Sequence, residues 1–218
     1  MNGFLYCYKM RYDTGFAPNP YHDVLTLATC KPTIRRCAKE GYWISGWTSN
    51  AVYDKNNNKH EFTDDTQRLI YLAKVSNNPK IEDYWKQYPQ KQQPDQSKKM
   101  KKNNNCGNIL SEETDIRYFG DNIYEPDANE PFGFKQHKNA HHGEQDKKRD
   151  LSGKNVLVCK EFYYFGVENP LKIEDKGFVV PRCKKIPLDA EEAKKVIDYV
   201  KINCSKALYY KKNENHFK

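Results

Sequence analysis

No two of the seven cysteines stand in a C-x-x-C pair, and Cys7, Cys30, Cys37, Cys106, Cys159, Cys183 and Cys204 are odd in number and scattered along the chain. This excludes a zinc-ribbon or dithiol motif and argues against a disulfide-stapled secreted framework, so the thiols are expected to be reduced. No apolar run approaches the roughly 18–20 residues that cross a bilayer, which argues against a membrane partner. The opening MNGFLYCYKMRYDTG has no basic segment followed by an apolar one, so a secretory signal is not expected and the cytoplasm is the expected location. The chain also lacks a P-loop, a G-x-S-x-G elbow and a Ser-His-Asp order. The lack of a βαβ rhythm and of a glycine-rich phosphate loop argues against a doubly wound nucleotide fold.

Aromatic residues, lysine and asparagine are what the chain has in quantity. Its 218 residues are 37% hydrophobic and 30% charged, yet 13% are aromatic, including 16 Tyr and 10 Phe. That aromatic share opposes general disorder and predicts a tyrosine-rich core. The net charge of +8 favours an anionic partner, although charge alone does not separate a nucleic acid from a solvated basic surface.

Hydrophobic patterning predicts an α+β domain: a curved, mainly antiparallel sheet or small barrel, a few short helices and a C-terminal amphipathic helix. Strands are expected at Phe4 to Met10, Val24 to Thr29, Tyr42 to Thr48, Leu69 to Val75, Asn155 to Lys160 and Glu161 to Gly166. Gly46 inside the third signals a bulge or a close approach. Short helices are expected at Ile34 to Lys39 and over KIEDYWKQY, and a longer one over DAEEAKKVIDYVKIN. In the last, Ala190, Ala193, Val196, Ile197 and Val200 form one apolar stripe. A single domain over residues 1–210 is expected, with a flexible lysine-rich insert at about 89–106 and a frayed tail at 211–218. Lys98, Lys99, Lys101 and Lys102 of the insert read either as phosphate contacts or as a solvated loop.

The window from Tyr12 to Trp47 concentrates the candidate chemistry. A polar loop with Asp13, Thr14, Asn19, Pro18 and Pro20 is followed by Lys31, Arg35 and Arg36, which suit phosphate. Trp43 and Trp47 offer stacking surface, although strand aromatics more often belong to a core. Asp13-Thr14-Gly15 is the chain's single DTG, so the paired carboxylates of an aspartic protease are missing. Asp121, Asn122 and Tyr124 place an acid, an amide and a phenol after Gly120, where a base-reading group and a simple Asx turn are both open readings. His137, His141 and His142 would meet a metal, with Glu144 or Asp146, only if their segment were helical, and Gly143 argues against that. No metal ligand is therefore assigned, and one of the histidines is a candidate general base.

The blocks YDTGFAPNP, LATCKPTIRRCA, GYWISG, LIYLAKV followed by DYW, GDNIY and FYYFG together resemble the nucleotide modification associated domain 2 family, over most of the chain. Gly41-Tyr42 replaces the family's glycine-acid pair. The resemblance implies a part in phage and bacterial systems, including phage defence, that modify DNA bases or their nucleotide precursors. The expected partner is a nucleotide or nucleic acid, DNA first, with the cofactor and the reaction left open. On that reading Asp13, Asp121 and His141 are the catalytic candidates. Thr14, Asn19, Lys31, Arg35, Arg36, Trp43, Trp47, Asn122 and Tyr124 are the nucleotide- or base-binding ones. GYWISG is also similar to the pocket strand of PUA-like and EVE domains, which implies the alternative of a non-catalytic reader of a modified or flipped base. A metal-dependent nuclease ranks last, for want of a carboxylate cluster.

Overall fold

The computed structural model describes residues 4–64, 66–93, 120–173, 188 and 190–211. Most of the lysine-rich insert and the last seven residues lie outside these. The chain is α+β, with four α-helices among the described residues and a mixed, mostly antiparallel sheet that does not close into a barrel. The sheet runs β1 (Leu5–Asp13), β3 (Trp43–Asp54), β5 (Gln67–Lys74), β9 (Glu161–Tyr164) and β11 (Tyr209–Lys211), with β4 (Lys59–Glu61) on β3 and β10 (Leu171–Ile173) on β5. Among the described residues only β1 and β3 pair in parallel.

Alternation along β1 explains why both faces of the sheet are covered. Leu5 and Cys7 face one way, with Trp43, Trp47 and Leu72, and meet α4 (Ala190–Ile202) through its fully buried Ala193, Val196 and Val200. Burying each of those valines contributes about 1.5–3 kcal/mol. Tyr6, Tyr8 and Met10 face the other way, against a two-stranded ribbon of β2 (Leu25–Leu27) and β8 (Leu157–Cys159) and the short α1 (Pro32–Cys37). Tyr8 and Tyr71 join their hydroxyls at 2.8 Å inside this layer, which is how so tyrosine-rich a core satisfies its polar atoms. A third apolar cluster lies under α2 (Ile81–Gln87) and includes Phe16, Tyr84, Ile123 and Tyr124.

Residues 120–151, where hydrophobic patterning predicts no strand or helix, hold three elements. β6 (Tyr124–Pro126) pairs with β7 (Phe134–Gln136), and α3 spans Glu144–Leu151. α3 has almost no apolar stripe, so periodicity hides it; its acidic first turn, basic last turn and Asp146 carboxylate on the Gly143 N–H are its signals. Tyr209 to Lys211 pair with β9 as the last described residues, and the rest of the expected tail lies outside them.

Gly46 sits where β3 shifts register against β5. An added Cβ would overlap Met10 Sδ and lie 2.5 Å from Tyr71 Cε1. Gly46→Ala is therefore expected to destabilise the fold by about 1–3 kcal/mol in chemical denaturation, through overpacking.

Candidate active site

The ribbon strand β2 ends in a sharp corner. Cys30 (φ 57°) and Lys31 (φ 39°) are both left-handed, and Pro32 then starts α1. Two successive non-glycine residues in that region cost of order 1–3 kcal/mol each. The surroundings hold them there: the Cys30 N–H donates to Asp150 Oδ1 at 2.9 Å, and the Cys30 carbonyl accepts from Arg35 Nε at 2.8 Å. The strand, strained corner and helix place a thiol at the tip, the same local design that presents a nucleophile in other folds.

His142 reaches that thiol. Its Nε2 lies 3.4 Å from Cys30 Sγ, and its Nδ1 is in close hydrogen-bond contact with Asp150 Oδ2. Asp150 is fully buried on the last turn of α3 and also accepts the Tyr124 hydroxyl at 3.0 Å. Asn139 fixes the histidine's backbone, accepting the His142 N–H at 2.7 Å and donating to its carbonyl at 3.1 Å; Gln136 donates to the same carbonyl at 2.9 Å. The Phe16 ring stands edge-on to His142 at 5.1 Å and stacks on His141 at 4.6 Å. Thiol, imidazole and carboxylate thus stand in line, a nucleophile, a base and the group that orients the base.

Electrostatics suit the arrangement. Burial pulls the His142 imidazole down, but the Asp150 hydrogen bond and the Cys30 thiol outweigh it and push it up to about 9. Burial works against Asp150 too, yet His142 and the Cys30 N–H hold its carboxyl below the usual carboxylate range. At neutral pH the pair is therefore imidazolium and carboxylate, with a ring N–H of the imidazolium facing the Cys30 sulfur. Three buried acceptor or hydroxyl atoms without a hydrogen-bond partner, Thr29 Oγ1, Gln136 Oε1 and Asn155 Oδ1, belong to residues next to Cys30 or bonded into this group. Unpaired polar atoms concentrated around a site mark where water or a ligand completes the network.

The ligand atoms of Cys30, His142 and Asp150 lie within 4.8 Å of one another, close enough for a metal. The ring is wedged between the other two, however, with one nitrogen facing each. An ion held by sulfur and Nε2 would leave Asp150 behind the imidazole as its orienting partner. His137 stands apart, paired with Glu125 at 2.7 Å and stacked on Trp85.

Several sequence candidates take up places inside the fold. Arg35 was expected to hold phosphate; it is fully buried and donates to the backbone carbonyls of Cys30, Asp150 and Asn155. Burial pulls its guanidinium down to about 10, which leaves it charged at neutral pH. Asp121, expected as an acid or base, is fully buried, accepts from Thr26 Oγ1 at 2.7 Å and the Tyr84 hydroxyl at 2.6 Å, and is pushed up by that burial. Asn19 accepts from the buried Lys91 ammonium at 2.7 Å and donates to the Gly15 carbonyl. Asn122 donates to the carbonyls of Tyr84 and Tyr88 at the end of α2. Trp47 is fully buried, its indole donating to Ser45, and Trp43 is buried against α4. None of these side chains has the exposure that phosphate contact or base stacking needs.

Others stay at the surface or at the triad. Lys31 lies over the Tyr8 ring at 4.4 Å and is partly exposed, and the exposed Arg36 reaches the Ser152 carbonyl. Tyr124 holds Asp150, and His141 is the neighbour of the histidine that meets the thiol. Asp13 and Thr14 line a separate cleft. Sequence reasoning missed Cys30, Asp150 and Lys91. The two consecutive left-handed residues have no sequence signature, and Asp150 is separated from Cys30 by 120 positions.

The family model for nucleotide modification associated domain 2 matches residues 2–213. No curated protein and no solved structure matches the chain.

Because its folded value lies above the ordinary 6.5, His142 adds stability that is complete below about pH 6.5 and lost as pH rises through about 9. Thermal melts should therefore show wild type most separated from His142→Gln near pH 6, with the gap narrowing across that window. Asp150 behaves oppositely, its contribution being present above its ordinary 3.8 and lost in acid.

Proposed function

The chain belongs to the nucleotide modification associated domain 2 family, and we propose that it acts there as a thiol enzyme that modifies nucleobases, in DNA or as nucleotide precursors. The observation that carries this reading is the order Cys30, His142, Asp150, with sulfur 3.4 Å from a ring nitrogen whose other side is held by a carboxylate.

The chemistry follows from the positions. The Cys30 thiolate adds to an electrophilic carbon of the substrate, forming a C–S bond. The electron pair displaced from that carbon is taken up by a neighbouring atom, which receives the proton from His142 Nε2. Asp150 keeps the ring oriented and its charge supported. When His142 takes that proton back the C–S bond breaks and the thiolate leaves, so the addition activates the base reversibly for the group that the modification brings. Lys31, next to the nucleophile, and the exposed Arg36 supply cationic contacts for phosphate at the rim. The net charge of +8 favours approach of such a substrate. A non-catalytic reader would have no use for a thiol held in a strained corner beside a paired histidine.

Iodoacetamide labelling followed by peptide mass spectrometry tests this without a known substrate, with the exposed Cys37 as internal reference. Partly buried Cys30 should be alkylated at least about tenfold faster than Cys37, and His142→Gln should remove that advantage. Faster labelling of Cys37 in the wild type, or an unchanged Cys30 rate in the variant, would sink the assignment. Protection of Cys30 reversed by a chelator would instead favour the metal reading.

A further inference from the structure

Beyond the triad, an aromatic cleft opens at the other end of the same polar loop. Two adjoining cavities of about 420 and 180 Å³ share Tyr21, Leu208 and Tyr209 as their common wall. The larger falls in the size range of small-molecule pockets. Tyr21 and Tyr209 meet at 5.8 Å and 68°, and Leu208, Tyr209 and Tyr210 are 57%, 46% and 52% exposed. Leu208 and the first two residues of the edge strand β11 are thus three successive half-exposed side chains, and their concentration at a cavity mouth marks a contact surface.

Asp13 forms the polar part of the smaller cavity. It is only 6% exposed; Oδ1 accepts from the Tyr164 hydroxyl at 2.7 Å and Oδ2 from the Val167 N–H at 2.8 Å. Each carboxylate oxygen keeps a second lone pair, so each can accept from one further donor. Burial pushes the group up to about 6 in spite of those two hydrogen bonds, the mark of a carboxylate short of donors. The cleft is also acidic within a basic protein: Asp13, Asp23, Asp54 and Glu168 line it against Lys55. Such a lining repels phosphate and favours a flat ring that brings N–H groups.

We infer that this cleft binds a nucleobase whose edge carries two adjacent N–H donors, packed against the wall formed by Tyr21 and Tyr209 with that edge on Asp13. Among the four ordinary DNA bases guanine alone offers such an edge, through N1–H and its 2-amino group. Adenine, cytosine and thymine each place an acceptor beside their single donor group, facing the carboxylate with like charge. The sugar and phosphate would then point out of the acidic cleft. The loop ties the cleft to the thiol: Asp13 and Gly15 line the cleft, while Phe16 packs on His142. The inference rests on the nucleotide-modifying reading and adds to it a nucleobase-recognition cleft on the loop that leads to the thiol.

Calorimetry on Cys30→Ser protein with guanosine, inosine, adenosine and cytidine tests it, because this variant keeps the cleft while removing the thiol. Guanosine should bind about tenfold or more tighter than inosine, which lacks the 2-amino group, since a bidentate pair discriminates by about that much. Tyr209→Ala, at the exposed edge, should weaken guanosine at least severalfold without unfolding the protein, and Asp13→Asn should erase the preference over inosine. Guanosine affinity should fall as pH drops through about 6, where Asp13 gains its proton. Equal affinity for guanosine and inosine, no binding of any nucleoside, or binding that strengthens in acid would each overturn the inference. If the cleft fails while Cys30 keeps its labelling advantage over Cys37, the thiol assignment stands. If guanosine binds while Cys30 is inert, the cleft stands and the thiol assignment falls.

Discussion

The buried guanidinium of Arg35 is the constraint on which the candidate centre depends. It draws together the carbonyl of Cys30, at the strained corner, and those of Asp150 and Asn155, at and just beyond the end of α3. Carbonyl groups carry only partial negative charge, so the arrangement is a cation solvated by backbone rather than an ion pair. Asp150 helps through space to keep it charged. Leaving a buried carbonyl without its donor typically costs about 1–3 kcal/mol, and loss of Arg35 would also release both ends of the triad. Gly153 belongs to the same device, since a Cβ there would overlap the guanidinium. A lysine, with one point charge in place of a planar fork, has no geometry that serves three carbonyls set around it.

A second buried cation plays the matching part for the polar loop. Lys91 donates to the Asn19 backbone carbonyl, to its side-chain oxygen and to the Val24 carbonyl. Burial pulls it down to about 8, and nearby Asp121 works the other way. Asp121 in turn is anchored by Thr26 on β2 and Tyr84 on α2. The chain that carries Asp13 at one end and Cys30 at the other is therefore clamped in the middle by groups from α2 and from the stretch after it. Rigid support of this kind is what a site needs if sulfur and imidazole are to stay within reach of each other.

How much of this was legible in the sequence differs by the kind of signal. The β1, β3 and β5 strands and α4 follow from alternation and from the Ala193, Val196, Val200 stripe, because burial imposes those periods directly. The Gly46 irregularity was legible as well, since a glycine in a strand interior has few other uses. α3 was not, because a helix made of EQDKKRDL is held by end charges and by one buried carboxylate rather than by an apolar face. Arg35 and Asp121 were legible as important and not as structural: a charged residue in a sequence gives no sign of whether its partners are a ligand or the fold's own carbonyls. His142 was marked among the histidines, but its partner thiol lay 112 residues away, and only the fold supplies that distance.

The blocks that carry the family likeness acquire a physical meaning once paired in space. YDTG meets FYYFG where Tyr164 donates to Asp13. GDNIY meets α3 where Tyr124 donates to Asp150, and it meets β2 where Asp121 accepts from Thr26. LATCKPTIRRCA holds both the thiol and the guanidinium that fixes its corner. Each pairing buries one charged or acidic group and satisfies it with a partner remote in sequence, which makes it costly to change one side alone. The motifs therefore record a network rather than a list of ligand contacts. The few polar atoms that network leaves unpaired, beside Cys30 and its supports, and the donor-poor carboxylate of Asp13 are where the fold has kept capacity for something other than itself.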